Sequence, residues 1–259
     1  MSTSNNLSLE QVSVAVGDKP LIKDVNLDFE PEKIYTIIGP SGTGKSTLLN
    51  LVAGLLPYTG GNVSYQGRPY DPKAQVIGLV PQNYGLLPWE TAWKTVTASL
   101  EIRNGHKVTG AEAAVVQDIF EKMNLTQVMH AYPKAMSGGQ QQRVSLARAF
   151  AIAGDFLLMD EPFSALDAFT REKLQKLFLT IWSEHPQTTL FITHDIEEAL
   201  LLGHRIIIMN GQHGRVTQVL DNPLGEPTFD TQARRQDPEF FEWVNRLRKE
   251  IYQDDEPTQ

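Results

Sequence analysis

The chain has 259 residues, 41% of them hydrophobic, with 23 Lys and Arg against 31 Asp and Glu for a net charge of −8. That is enough chain for one large α/β domain or a core with a lobe. The acid excess argues against a nucleic-acid binder acting through bulk charge, and the absence of cysteine excludes disulfides and thiolate metal sites.

The first ten residues, MSTSNNLSLE, lack a basic segment followed by an apolar one, so no signal peptide is expected. Val12, Val14 and Val16 alternate with small or polar residues, as do Val25, Leu27 and Phe29, and later Val63 and Tyr65. This period-2 pattern predicts an antiparallel β layer. Lys33–Gly39 reads as a short apolar strand, and Lys45–Leu56 as a helix with Leu48, Leu49, Val52 and Leu55 at helical spacing. The longest apolar-rich stretch, Leu48–Leu56, is far too short to span a bilayer, so work at a membrane would need another chain.

Ala74–Val80 is an apolar run ending at Pro81-Gln82. Beyond it Thr91–Arg103, Gly110–Asn124 and Thr126–Tyr132 predict helices, with stripes at Trp93, Val96 and Leu100, then Val115, Ile119 and Met123. These form a helical lobe inserted between two core strands. Ser137 opens a further helix running to about Ala153. Phe156–Met159 and Thr189–Thr193 are continuous apolar runs suited to central strands of a parallel sheet, with a helix over Ala168–Glu184 between them. Arg205–Met209 and Val216–Leu220 flank Asn210-Gly211, a hairpin signal. The tail from Asn222 reads as loop until Asp237-Pro238 starts a helix, with Phe240, Val244, Leu247 and Ile251 on one face. Arg246, Arg248 and Lys249 fit a solvated face of that helix better than a nucleic-acid patch.

Between the predicted strand and helix lie Gly39, Pro40, Ser41, Gly42, Thr43, Gly44, Lys45, Ser46 and Thr47, GPSGTGKST. Gly, four residues, then Gly-Lys-Ser is the phosphate-binding loop pattern. Its glycines let backbone N–H groups approach an anion at a helix N-terminus. Lys45 adds a point charge for β- and γ-phosphates, and the Ser46 hydroxyl can ligate Mg²⁺.

Three apolar runs then end in polar residues: Gln82, Asp160-Glu161 and His194. In open α/β sheets ligands bind beyond the carboxyl ends of the strands, so these residues and the phosphate loop are expected on one edge. Asp160 is expected to hold Mg²⁺ directly or through water. Glu161 is assigned as the general base that polarises an attacking water, Gln82 as a Mg²⁺ ligand and γ-phosphate sensor, and His194 as a hydrogen-bonding partner of the γ-phosphate and water. In Met136–Arg143, MSGGQQQR, Ser137 and Gln140 make a Ser-x-x-Gln capping box. The same capped N-terminus, with Gly138 and Gly139, is a second anion site. One phosphate loop plus a second γ-phosphate site implies pairing with another copy.

MSGGQ resembles the Leu-Ser-Gly-Gly-Gln signature of ATP-binding cassette (ABC) ATPases, with Met136 in place of leucine. GPSGTGKS is similar to their Walker A motif, Gln82 to the Q-loop and FLLMDE to Walker B, while Ser164-Ala165-Leu166-Asp167 resembles the D-loop and His194 the switch histidine. The resemblance covers about Leu7 to Leu220. It implies an α/β P-loop NTPase (RecA-like) core with a parallel sheet, an antiparallel β layer and an inserted helical lobe. The expected division is residues 1–82 and 137–220 as catalytic core, 83–136 as helical signature subdomain and 221–259 as a C-terminal extension ending in a helix. It further implies ATP and Mg²⁺, and a head-to-tail pairing with a second ATPase subunit, as a homodimer or with a paralogue. Each ATP would then lie between Walker A of one subunit and Ser137, Gly138, Gly139 and Gln140 of the other, with Asp167 at the same interface.

Gly85-Leu86-Leu87-Pro88-Trp89 resembles importer ATPases of the nitrate, sulfonate and taurine type, and related importers of pyrimidine-type precursors share this look. An importer subunit would sit peripherally on the cytoplasmic face of the membrane. There it would bind an ABC permease near Leu86–Trp89 and be served indirectly by an extracellular solute-binding protein. The alternative is a soluble ABC ATPase of translation or DNA repair. Translation types usually carry two cassettes, whereas this chain has one signature, and repair types insert a long coiled coil that is absent here. One departure stands out. The family usually stacks an aromatic residue on adenine near the end of the first strand, and here that position is Val16, with no aromatic between Met1 and Asp28.

Overall fold

In the computed structural model, which describes residues 6–211 and 214–252, the alternating valines lie on two long antiparallel strands. β1 (Leu7–Val16) and β2 (Lys19–Phe29) pair with Leu9 opposite Leu27 and Val12 opposite Val25. β3 (Ile34–Ile38) is buried at every residue and leads into α1 (Lys45–Val52). β4 (Gly60–Tyr65) pairs with β1, and β5 (Arg68–Pro69) completes a four-stranded antiparallel sheet in the order β2-β1-β4-β5.

The second sheet begins with β6 (Ile77–Val80). The chain then leaves for α2 (Ala92–Asn104) and α3 (Gly110–Lys122), and returns through α4 (Gly138–Ala151). β7 (Phe156–Asp160), α5 (Ala168–Glu184), β8 (Thr188–Ile192), α6 (Ile196–Leu202) and β9 (Arg205–Asn210) follow as strand–helix alternation. β10 (Arg215–Asp221) turns back antiparallel on β9, and α7 (Thr231–Arg235) and α8 (Pro238–Tyr252) close the described chain. The sheet order is β10-β9-β3-β8-β7-β6, and β9, β3, β8, β7 and β6 run parallel.

The parallel strands are apolar on both faces because two cores meet there. One face packs with α1 against the antiparallel sheet, through Leu48, Val52, Leu158 and Ile207 on one side and Val12, Phe29 and Val63 on the other. The opposite face carries α4, α5, α6 and α8, and the same core extends into α2 and α3. The apolar stripe of α8, Phe240, Val244, Leu247 and Ile251, is buried as its spacing predicts.

Several local expectations change. α1 stops at Val52 rather than Leu56, because Gly54 takes φ +71 and turns the chain, leaving Leu55 exposed. The stripe of α3 keeps Ile119 and Met123, which are buried as expected, but Val115 is exposed and Val116 and Phe120 are buried instead. The helix expected over Thr126–Tyr132 shrinks to one 3-10 turn at Thr126–Val128. There the carbonyls of Met129 and Ala131 accept from the N–H groups of Trp93 and Ala92, giving backbone donors at the start of α2 partners outside the helix. The apolar run Ala74–Val80 becomes a strand only from Ile77, after a 3-10 turn capped by Asp71. α7 lies where the tail reads as loop, and Asp230 caps it by accepting from the Ala233 N–H.

Candidate active site

The phosphate-binding pattern closes on itself through close backbone contacts. At Gly39, φ +151, an added Cβ would lie 1.9 Å from the Met209 carbonyl oxygen of β9. At Gly44, φ +87, it would lie 2.4 Å from Ile22 of β2. Only glycine allows both approaches, and together they wedge the loop between the two sheets. Lys45 Nζ donates to the carbonyls of Gly39 (2.8 Å) and Pro40 (2.7 Å), and Thr43 Oγ1 donates to Pro40 (2.9 Å). Burial pushes the Lys45 ammonium below its usual pKa, and the carboxylates of Glu161 and Asp160 pull it back up. The first turn of α1 has no side-chain cap and no acidic residue, which leaves its N–H groups able to receive an anion. In front lies a cleft of about 450 Å³ lined by Ser41, Gly42, Gly44, Lys45, Ser46 and Thr47, by Lys19, Pro20 and Leu21 of β2, and by Glu161.

The carboxyl ends of β6, β7 and β8 are neighbours in the sheet, so the residues just beyond them converge. Glu161 is the pivot. Its backbone takes φ +46, a left-handed conformation costing a non-glycine residue roughly 1–2 kcal/mol. Its N–H donates to Ile192 at 3.0 Å. This turns the carboxylate so that Oε2 accepts from Gln82 Nε2 at 3.2 Å and lies 3.3 Å from His194 Nδ1. Asp160 points the other way, toward α1, and accepts from the Ser46 hydroxyl. Burial pushes its carboxyl up, the Ser46 hydrogen bond draws it down, Glu161 pushes it up and Lys45 draws it down. The Ser46 hydroxyl, Asp160 carboxylate and Gln82 amide oxygen are hard donors of the kind Mg²⁺ takes. Among the described residues no three His, Cys, Asp or Glu side chains cluster into a site that could hold a metal.

The signature residues lie elsewhere. Ser137 caps α4 by accepting from the Gln140 N–H at 3.3 Å, and Gln140 Oε1 accepts from the Ser137 N–H at 2.8 Å. Ser137 and Gly138 are exposed, and none of Ser137, Gly138, Gly139 and Gln140 lines the cleft. Asp167 is also exposed, and it caps α5 by accepting from the Thr170 N–H at 3.0 Å. The Thr170 hydrogen bonds hold its carboxyl below the usual range. One chain thus presents a phosphate loop with its strand-end carboxylates, and separately an uncovered helix N-terminus.

The sequence pattern of the ABC transporter family matches residues 22–164, more than half of the chain. The Bicarbonate transport ATP-binding protein CmpD of Synechocystis is 39% identical over 248 residues, spanning 94% of this chain and 88% of that protein. The Nitrate import ATP-binding protein NrtD of Synechococcus elongatus is 41% identical over 225 residues, 86% of this chain and 82% of that protein. A solved dimeric ATP-binding cassette in a post-hydrolysis state with ADP and Pi superimposes with a TM-score of 0.73 at 31% identity, covering 83% of this chain and 98% of that one. The chain belongs to the ABC transporter family. Its cassette is an ATP-binding ATPase, and its α/β P-loop fold is that of the solved cassette.

The cleft is also lined by residues the sequence alone does not single out. Lys19, Pro20 and Leu21 line the cleft because the β1–β2 turn brings the start of β2 over the phosphate loop. Val16, which the sequence resemblance aligns with an adenine-stacking residue, is exposed and pairs across the hairpin with Lys19. Short-range signals end at the strand boundary, so only the hairpin register links these residues to the site.

Proposed function

We propose that this chain is the energising subunit of an ABC importer for a small anionic solute, and that two such subunits close head to tail around ATP. The observation that carries the reading is the meeting of Gln82, Glu161 and His194 beside the phosphate loop, with the Ser137 helix N-terminus left outside the chain's own cleft. In this arrangement Gly39, Pro40, Ser41, Gly42, Thr43, Gly44 and Thr47 form the phosphate cradle, with backbone N–H groups from every residue but Pro40, whose carbonyl instead accepts from Thr43 and Lys45. Lys45 leaves the Gly39 and Pro40 carbonyls to neutralise the β- and γ-phosphates. Ser46, Asp160 and Gln82 would hold Mg²⁺, which supplies charge neutralisation to the leaving phosphate. Glu161 orients and deprotonates the attacking water, and His194 holds the γ-phosphate end. Ser137, Gly138, Gly139 and Gln140 receive the partner's nucleotide, with Asp167 at the seam between the subunits.

Bicarbonate and nitrate, named for two relatives, are small anions, which supports that solute class. No helix among the described residues is long and apolar enough to cross a membrane. The subunit would therefore sit peripherally on the cytoplasmic face, on a permease supplied by a solute-binding protein. Leu87 and Trp89 are exposed beside the lobe, where a permease segment could dock, while Leu86 packs against the lobe core. The transport relatives favour this reading over a soluble role in translation or repair.

The test is ATP turnover by the chain with and without Glu161→Gln. Removing a general base is expected to slow turnover by about 10²–10⁴-fold with ATP binding retained. Undiminished turnover would refute the assignment of Glu161. Recovery from native membranes with a polytopic permease is the expected result for transport, and recovery on ribosomes or DNA would refute it.

A further inference from the structure

Helix α4 begins at the signature residues and carries, further along, a half-buried cation held by backbone carbonyls and by the Ser145 hydroxyl, which accepts from Arg148 Nη2 at 3.3 Å. Arg148 Nη1 donates to the Gly85 carbonyl at 2.6 Å, and Nη2 donates to the carbonyls of Tyr84 (3.2 Å) and Leu79 (3.4 Å). From the preceding turn of the same helix, Ser145 Oγ donates to the Tyr84 carbonyl at 2.8 Å. Burial pushes the Arg148 guanidinium below its usual pKa, and among the described residues no carboxylate offsets this. A strut that only filled space would avoid that desolvation with an apolar side chain. A planar fork of donors suits carbonyls that point in different directions.

The loop so gripped is a strained one. Tyr84 and Gly85 both take left-handed backbone, φ +64 and +59, and a tyrosine stays there only where its surroundings over-determine it. The Tyr84 side chain reaches the signature: a Cβ at Gly138 would lie 3.2 Å from the Tyr84 hydroxyl. Two residues before Tyr84 stands Gln82, hydrogen-bonded to Glu161.

We propose that Arg148 is a positioning residue that fastens the loop after β6 to α4, so that Gln82 and Ser137 shift as one body. Gln82 serves the chain's own nucleotide and Ser137 the partner's, so the clasp joins the two ATP sites of a dimer through each subunit. This inference rests on the roles proposed for Gln82 and Ser137.

The experiment is a double-mutant cycle on ATP turnover and ATP binding, with Arg148→Met, Gln82→Ala and both together. Misplacing Gln82 through Arg148→Met is expected to lower kcat about tenfold while the Kd for ATP stays within about twofold, since Arg148 lies outside the cleft. On the Gln82→Ala background the further loss is expected to be less than about twofold, because no glutamine is left to position. Ser145→Ala removes the bond to the Tyr84 carbonyl and the one accepted from Arg148 Nη2, without changing the charge. It is expected to give the same pattern at about threefold, and it answers the question if Arg148→Met does not fold. Losses that multiply in the double variant, affinity falling in step with kcat, or an unchanged kcat would each overturn the clasp. Turnover by the wild type that Glu161→Gln removes keeps the proposed function standing whichever way the cycle falls. No turnover by the wild type would overturn that function and the clasp with it.

Discussion

Glu198 is 4% exposed on α6, just beyond His194, and its carboxyl is pushed up to about 7. Burial is the main cause. Hydrogen bonds from Thr193 and Gln175 lower it, the Asp195 charge raises it and the Arg171 charge lowers it. Gln175 Nε2 donates to Glu198 Oε1 at 2.8 Å, and among the described residues Gln175 Oε1 has no hydrogen-bond partner. In the unfolded chain the carboxyl titrates near 4.5. The folded pKa is therefore the higher one, and the native state retains the proton between those values. This contribution to stability is present in full below about 4.5 and is lost as the pH rises through about 7. A separation of about 2.5 units (7 − 4.5) corresponds to about 3 kcal/mol.

Glu198→Gln replaces the acid by a neutral amide that can donate as the protonated form does. The variant is expected to match the wild type at about pH 4 and to exceed it by about 3 kcal/mol at about pH 8, which for a chain of this size is a Tm difference of roughly 6–12 °C. Thermal and urea unfolding at the two pH values read it directly. A gap independent of pH, or a variant less stable at about pH 8, would refute the reasoning that Glu198 folds as a buried acid.

Three further outcomes follow from the geometry. Gly39→Ala would drive a Cβ to 1.9 Å from the Met209 carbonyl; a loss of more than about 4 kcal/mol and of ATP binding is expected, and a variant that melts with the wild type would show that the loop yields. Val16→Tyr places an aromatic ring opposite Lys19 at the cleft edge. ATP affinity should rise by roughly two- to tenfold from stacking, measured by titration, and an unchanged Kd would remove that position from the base-binding surface. Leu247→Ala opens a cavity under α8, where Leu247 is fully buried; a cost of about 2–5 kcal/mol is expected, seen as a lower Tm with ATP turnover per folded molecule unchanged.

The phosphate loop, the capping box of Ser137 and Gln140, the helix over Ala168–Glu184 and the apolar stripe of α8 were legible in the sequence. Each is encoded within one or two turns or strand pairs, where glycine sterics, cap hydrogen bonds and periodicity act over a few residues. The polar residues closing three apolar runs, Gln82, Asp160-Glu161 and His194, were legible for the same reason. Where α1 ends, which of Val115 and Val116 faces inward, and the existence of α7 depended on contacts with other elements, so local pattern missed them.

Tertiary structure alone decided how the site is assembled. Gln82 and Glu161 are 79 residues apart and meet only because β6 and β7 are neighbours in the sheet. The same holds for Lys19, Pro20 and Leu21 over the cleft, for the grip of Arg148 on the loop after β6, and for the burial that raises Glu198. Residue types and short spacings determine what chemistry a segment can perform. Strand order and packing determine which segments perform it together, because distance in space between remote residues is set by the whole fold and by no local rule.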